Sequence, residues 1–389
     1  MAVRTAMDDL LEQAVESGQV PGVVALAADE TGEIYAGAFG KREAGGVTDM
    51  TLDTVFWLAS MTKAVTSVAA MQQVERGALD LDAPIGPVLP QLANPKVLDG
   101  FDEDGTPRLR PARRPITLRL LLTHTAGFGY DNWDERVRRY AAATGIPAVG
   151  TCQLAALNLP LVFDPGERWE YGINIDWAGQ AVEAVTGQTL DTYFREQIFQ
   201  PLSMSDTGFI LGDGQRTRKA SMHRRTSDTT FDVIPHGMPQ QPEFFMGGGG
   251  LYSVGRDYLS FLRALLNGGS LNGAQILKPE TVAEMGRNQI GELRALPMRT
   301  ANPASSNDVD IFPDIPKTWG LGYMRTEADV PGGRRAGSLA WAGLANTYYW
   351  LDPASGVVGV MLTQILPFAD PTVLNLLGRF EQAIYAGRA

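Results

Sequence analysis

Cysteine is almost missing from this chain. Cys152 is the only one in 389 residues, so no disulfide can form within it. Histidine is nearly as scarce. His124, His223 and His236 are the three present; they are too scattered to suggest a metal cluster, and no metal or organic cofactor is expected. Positive charge is in deficit, with 33 Lys and Arg against 44 Asp and Glu and a net charge of −11. That balance argues against nucleic acid or an anionic membrane surface as a partner. No apolar run reaches the roughly 18 residues that suggest a membrane span. The opening residues MAVRTAMDDLLEQ carry acids where a signal peptide would be apolar. The expectation is an intracellular, cytoplasmic protein.

What is present is a chain that can build a large core. It is 44% hydrophobic and 20% charged, which suits one large domain or two intertwined ones. Leu10, Leu11, Ala14 and Val15 form one stripe of a helix over Met7–Ser17. Pro21–Ala28 and Glu33–Phe39 read as a hairpin turning at Asp29–Gly32. Asp80–Thr117 is rich in proline and charge and reads as a solvated loop. Short helices are expected at Leu118–Leu122, Asn174–Thr186 and Thr189–Phe199. Ser253 is expected to cap a helix containing Tyr258, Leu259, Leu262 and Leu265. Leu293–Thr318 is long, polar and irregular, as lids often are. From Gly337 onward the chain turns to strand, with a hairpin of Asn346–Leu351 and Val357–Thr363. Asp370-Pro371 then opens a closing helix with Val373, Leu377, Phe380 and Ile384 on one face.

Strands at both ends around a helical middle predict an α/β domain made of residues 1–56 and 231–389. Residues 57–230 then form a mainly helical insert without convincing strands, and the active site lies between the two. The candidate chemistry sits at Ser60-Met61-Thr62-Lys63, which opens an apolar helix. At this spacing a hydroxyl and an amine share one helix face. Burial disfavours a charged amine, and a helix start aims N–H groups at a nearby oxyanion. These are the needs of an activated serine, although the spacing alone also fits a surface pair. His124 reads as a structural side chain holding the turn at Gly127, in preference to a catalytic one. The run Gly247–Gly250 lacks a following Gly-Lys-Ser/Thr, so a strand or a close backbone approach is expected there instead of a phosphate cradle.

Five motifs occur in fixed order: Ser60-x-x-Lys63, LLTHTAG at 121–127, DPGxxWxYG at 164–172, GGGGLYS at 247–253 and Trp341-Ala342-Gly343. Together they resemble the class C β-lactamase and penicillin-binding-protein superfamily along nearly the whole chain. Within it the chain looks most like the family VIII carboxylesterases. It is also similar to the fungal statin acyltransferase, especially in VLDGFDEDGTPRLR and YGINIDWAG. The resemblance implies an α/β plus all-α architecture, a β-lactamase/transpeptidase-like fold with an antiparallel sheet flanked by helices and an inserted helical domain. It also implies an acylated Ser60, a proton-relaying Lys63, and Tyr171 acting with Lys63 as general base. Which of the two is the base stays open, and they should titrate as a coupled unit. The N–H groups of Ser60 and Leu344 would form the oxyanion hole. Trp341, Ala342, Gly343, Asn174 and Phe368 would border the substrate.

Two departures bear on the substrate. Trp341-Ala342-Gly343 stands where β-lactamases carry Lys-Thr-Gly, so an indole replaces the cation that helps hold the lactam carboxylate. Tyr171-Gly172-Ile173 replaces Tyr-x-Asn, with Asn174 one place later. Both favour a neutral, apolar acyl substrate. The expected function is a serine carboxylesterase for short- to medium-chain esters. Acyl transfer to an alcohol or amine is the alternative, ahead of β-lactamase or peptidase activity and of a non-catalytic sensor.

Overall fold

The computed structural model describes residues 2–388. Its centre is a seven-stranded antiparallel sheet that joins the two ends of the chain. The order is Lys317–Trp319, Met324–Thr326, Leu339–Gly343, Thr347–Asp352, Val357–Leu362, Gly22–Asp29 and Glu33–Gly40. Val24 to Asp29 pair with Leu362 to Val357, so the expected N-terminal hairpin is completed by a strand more than 300 residues away. Gly22–Asp29 is buried on both faces, which explains its unbroken apolar run. Glu33–Gly40 is an edge strand with a mixed, partly exposed pattern.

Successive side chains in a strand point to opposite faces. Trp350 accordingly meets Phe380 of the closing helix Pro371–Ala386, while Tyr349 meets Tyr258 of helix Gly255–Leu266. Helix Ala2–Glu16 packs beside the closing helix. The Asp370 carboxylate accepts from the N–H groups of Thr372 and Val373, and Pro371 occupies the first turn, as the sequence predicts. Helix Thr62–Glu75 is buried from Thr62 through Gln73 and packs on Asn174–Thr186.

Four expectations need correction. The 80–117 stretch contains a hairpin, Lys96–Phe101 with Pro107–Pro111. Only Val97 and Leu98 are buried in it, so it lacks the apolar alternation that marks a strand. Its turn is held by Asp102–Arg108, and Arg110 reaches the buried Asp164. Met222–Arg225 is also a strand, pairing with Phe231–Ile234 and Ile365–Leu366, so residues 57–230 are not free of strands. Ser253 does not cap the next helix. It pairs with Phe56 in a short ladder, and its hydroxyl meets that of Thr207, while Val254 takes the N-cap position. The helix expected over Thr189–Phe199 is α-helical over Leu190–Phe194 and becomes a π-turn over Arg195–Phe199.

One buried ion pair ties the closing helix to the connection between strands Met324–Thr326 and Leu339–Gly343. Arg334 and Glu381 are 3% and 2% exposed at the side chain, and Glu381 also accepts the Arg334 N–H at 3.0 Å. Removing one partner strands the other charge. Glu381→Ala is expected to destabilise the protein by about 3–5 kcal/mol, read as a lowered denaturation midpoint. A loss below about 1 kcal/mol would mean that water reaches Arg334 readily.

Candidate active site

Strand Phe56–Trp57 runs into a 3₁₀ turn, Ala59–Met61, and only then into helix Thr62–Glu75. Ser60 therefore sits one turn ahead of the α-helix it was expected to open. Ala59 holds φ at +47°, a left-handed conformation that costs a non-glycine residue energy and persists only under surrounding support. That support is visible. Thr62 Oγ1 donates to the Ala59 carbonyl at 2.7 Å, and the Tyr258 hydroxyl donates to the Met61 carbonyl at 2.9 Å.

Lys63 is 1% exposed. Its Nζ lies 3.0 Å from Ser60 Oγ, 3.1 Å from Tyr130 Oη and 2.6 Å from the Gly248 carbonyl. Asp176 Oδ1 accepts the Gly248 N–H at 2.8 Å, and Tyr130 Oη lies 3.5 Å from Asp176 Oδ2. A Cβ at Gly248 would fall 2.5 Å from Asp176, so only glycine lets this backbone pass between amine and carboxylate. The glycine run is thus a close backbone approach, as expected. Burial pushes the Lys63 amine down and the Asp176 carboxyl up, and their mutual attraction opposes both shifts.

The partners decide what a neutral Lys63 can do. The Gly248 carbonyl can only accept, and Tyr130 Oη can accept while its own proton faces Asp176. Both N–H bonds of the neutral amine are then used, and its lone pair is left for the Ser60 hydroxyl proton. Tyr171 is placed differently. Its ring lies 4.7 Å from Lys63 Nζ, and its hydroxyl oxygen accepts from Trp341 Nε1 at 2.9 Å. Burial pushes the phenol above its ordinary value, against the pull of hydrogen bonds with Ser60 and Trp341.

His124 is fully buried at φ +58°. Its Nδ1 lies 3.0 Å from Asn174 Nδ2 and 3.4 Å from the Gly172 nitrogen. Burial, and then the nearby Lys63, push the ring well below its ordinary value, so it is neutral and props the loop that carries Tyr171. Strand Leu339–Gly343 packs beside the Ser60 turn. A Cβ at Gly343 would lie 2.2 Å from the Leu58 carbonyl, so glycine is what lets Leu344 reach the nucleophile.

Ser60 and Leu344 share the wall of a cavity of about 460 Å³ with Trp57, Tyr130, Trp133 and Asn302. Asn302 comes from the irregular 293–318 segment, which therefore reaches the rim. Lys63 and Tyr171 lie directly behind Ser60. The other expected border residues are set back from the wall. Trp341 is 2% exposed and packs on Tyr171, and Ala342 and Gly343 are buried in the strand. Asn174 donates to His124 and to the Phe128 carbonyl, at 3.0 and 3.3 Å. Phe368 stacks on Tyr348 and meets the edge of Trp133, so it supports a wall residue. Tyr130 and Asp176 escaped the sequence reading. A lone carboxylate inside the apolar INIDWAG was the available signal for Asp176.

Residues 7–383 match the beta-lactamase family, and the chain belongs to it. It is an enzyme of that family, whose similar members carry out acyl transfer and ester cleavage. It is 35% identical to monacolin J acid methylbutanoyltransferase of Aspergillus terreus, over 98% of this chain and 95% of that one. It is 33% identical to lovastatin esterase of Penicillium rubens, over 97% and 98%. Unliganded simvastatin synthase (LovD) from Aspergillus terreus superposes with a TM-score of 0.85, at 31% identity over 100% of this chain and 99% of that one. The expected fold is thereby established. No helix among the described residues is long and apolar enough to cross a membrane.

Proposed function

We propose that this protein is a serine acyltransferase, with hydrolysis as the competing outcome of the same acyl-enzyme. The observation that carries the reading is the Lys63 amine, buried and held 3.0 Å from Ser60 Oγ with its other partners already assigned. In this reading the Ser60 oxygen bonds to the acyl carbon as its proton passes to Lys63 Nζ. The Ser60 and Leu344 N–H groups hold the oxyanion, each worth about 2.7–4 kcal/mol to the transition state. The bond to the leaving group then breaks, and that group takes the proton from Lys63. An acceptor alcohol or amine repeats the steps in reverse, giving its own proton to Lys63. Tyr171 remains a phenol that orients Ser60. The cavity wall draws side chains from both parts of the expected division, 57–230 and 231–389.

Hydrolysis was expected as the main outcome and transfer as the alternative. Two considerations reverse that order. Similar proteins include acyltransferases of Aspergillus terreus and of Penicillium citrinum, the latter 30% identical, beside the lovastatin esterase of Penicillium rubens. The aromatic wall of Trp57, Tyr130 and Trp133 also lends the cavity apolar surface for an organic acceptor in place of water. With p-nitrophenyl butyrate as donor and rising butan-1-ol, butyl butyrate is expected to overtake butyric acid. Butyric acid as sole product at saturating alcohol would reject transfer and leave the esterase reading.

A further inference from the structure

Charge is distributed unevenly around the cavity. Among the described residues that line it, none is lysine or arginine, and Asp131 is the one acid. Asp131 is half-buried and forms no salt bridge among the described residues. The nearby cations form no salt bridge with it, although Arg138 attracts it from a distance. Arg138 donates to the Ala301 carbonyl, and Lys219 donates to the His236 carbonyl at 3.0 Å. Lys63 is held behind Ser60 by its own three partners. His236, also on the wall, lies 4.2 Å from Trp57 ring to ring, and its Nε2 has no hydrogen-bond partner. Burial pushes its ring down to about 4, so at neutral pH it adds no positive charge.

We propose that Asp131 makes the cavity selective for charge, so that the acceptor this protein acylates is an alcohol bearing a cationic group, with uncharged alcohols second and carboxylates disfavoured. This rests on the acyltransferase reading above. A carboxylate acceptor entering this cavity would meet Asp131 with no lysine or arginine on the wall, since Arg138, which attracts Asp131 from a distance, is not a lining residue, and like charges in a partly desolvated site repel. An ammonium group would instead give Asp131 the direct ion pair that it lacks among the described residues. Burial pushes the Asp131 carboxyl up, against the pull of nearby backbone N–H groups and of Arg138. The contrast with the similar enzymes is direct, since two of them are named for acid or carboxylate acceptors, monacolin J acid and ML-236A carboxylate.

The test uses three acceptors of equal chain length: butan-1-ol, 4-(trimethylammonio)butan-1-ol and 4-hydroxybutanoate. p-Nitrophenyl butyrate is the donor, and acyl-Ser60 is followed separately by intact mass. The trimethylammonium alcohol is expected to exceed the carboxylate by at least about tenfold in kcat/KM for acceptor, the scale of one charge pair across a few ångströms in a partly desolvated site. Asp131→Asn should bring that ratio within about threefold of unity, and Asp131→Glu should restore it. A flat or reversed order with acyl-Ser60 still forming would overturn the inference and leave the acyltransferase reading standing. An unchanged ratio in Asp131→Asn would remove Asp131 from the role. Absence of acyl-Ser60 would remove the acyltransferase reading and this inference with it.

Discussion

Ser60→Ala is expected to abolish the acyl-enzyme mass increment and to lower donor turnover by at least about 10⁴-fold, the scale seen when a serine nucleophile is removed from an activated group. The change is small enough to read cleanly. Ser60 is only half-buried, and the 3₁₀ turn that carries it is held by the backbone carbonyls of Ala59 and Met61, which keep their partners Thr62 and Tyr258. Folding should therefore be unaffected, and the denaturation midpoint of the variant should match wild type. The residual rate would come from the oxyanion donors and the cavity, which act without the nucleophile. Turnover within tenfold of wild type, or a mass increment that persists, would place the nucleophile elsewhere and dissolve the acyl-Ser60 reading.

The reach of the sequence followed the kind of physics each residue obeys. That Ser60, Lys63 and Tyr171 come together was legible from the three-residue spacing of the first two and from the ordered motifs of the family the chain resembles, which supplied the third. The closing helix was legible because Asp370-Pro371 and the stripe from Val373 to Ile384 are local signals. The hairpin at 96–111 was not, since its stability comes from ion pairs such as Arg110 with Asp164, 54 residues apart, and no local pattern announces that. Asn174 and Phe368 show the same limit. Both lie near the site, but whether a side chain faces the cavity or its supporting layer depends on packing between distant segments. Tyr130 is the clearest case. Nothing in GFGYDNW distinguishes its hydroxyl until helix Thr62–Glu75 brings Lys63 within 3.1 Å.

Lys63→Met removes the amine while nearly keeping its shape, and acylation is expected to fall by about 10²–10⁴-fold, the usual worth of a positioned general base. The loss leaves Asp176 buried without its cation, and a carboxyl in that position takes up a proton instead of remaining charged. The wild-type pH profile carries the sharper information. Acylation needs the neutral amine, so the rate should rise with pH as Lys63 loses its proton and then level off. An ordinary lysine would put that rise near 10.5, whereas burial pushes the Lys63 amine down to about 7, so the ascending limb belongs near neutrality. Asp176 attracts the ammonium form and holds the amine up. Asp176→Asn can still accept the Gly248 N–H, but it drops that attraction, so the limb should move to lower pH with the plateau largely kept. Tyr171 as the base predicts otherwise, because burial pushes its phenol above 10. In that case the limb would lie beyond pH 10, and Tyr171→Phe, not Asp176→Asn, would reshape it. A limb that stays in place in Asp176→Asn would separate the carboxylate from the titration and reduce it to a support for the Gly248 backbone.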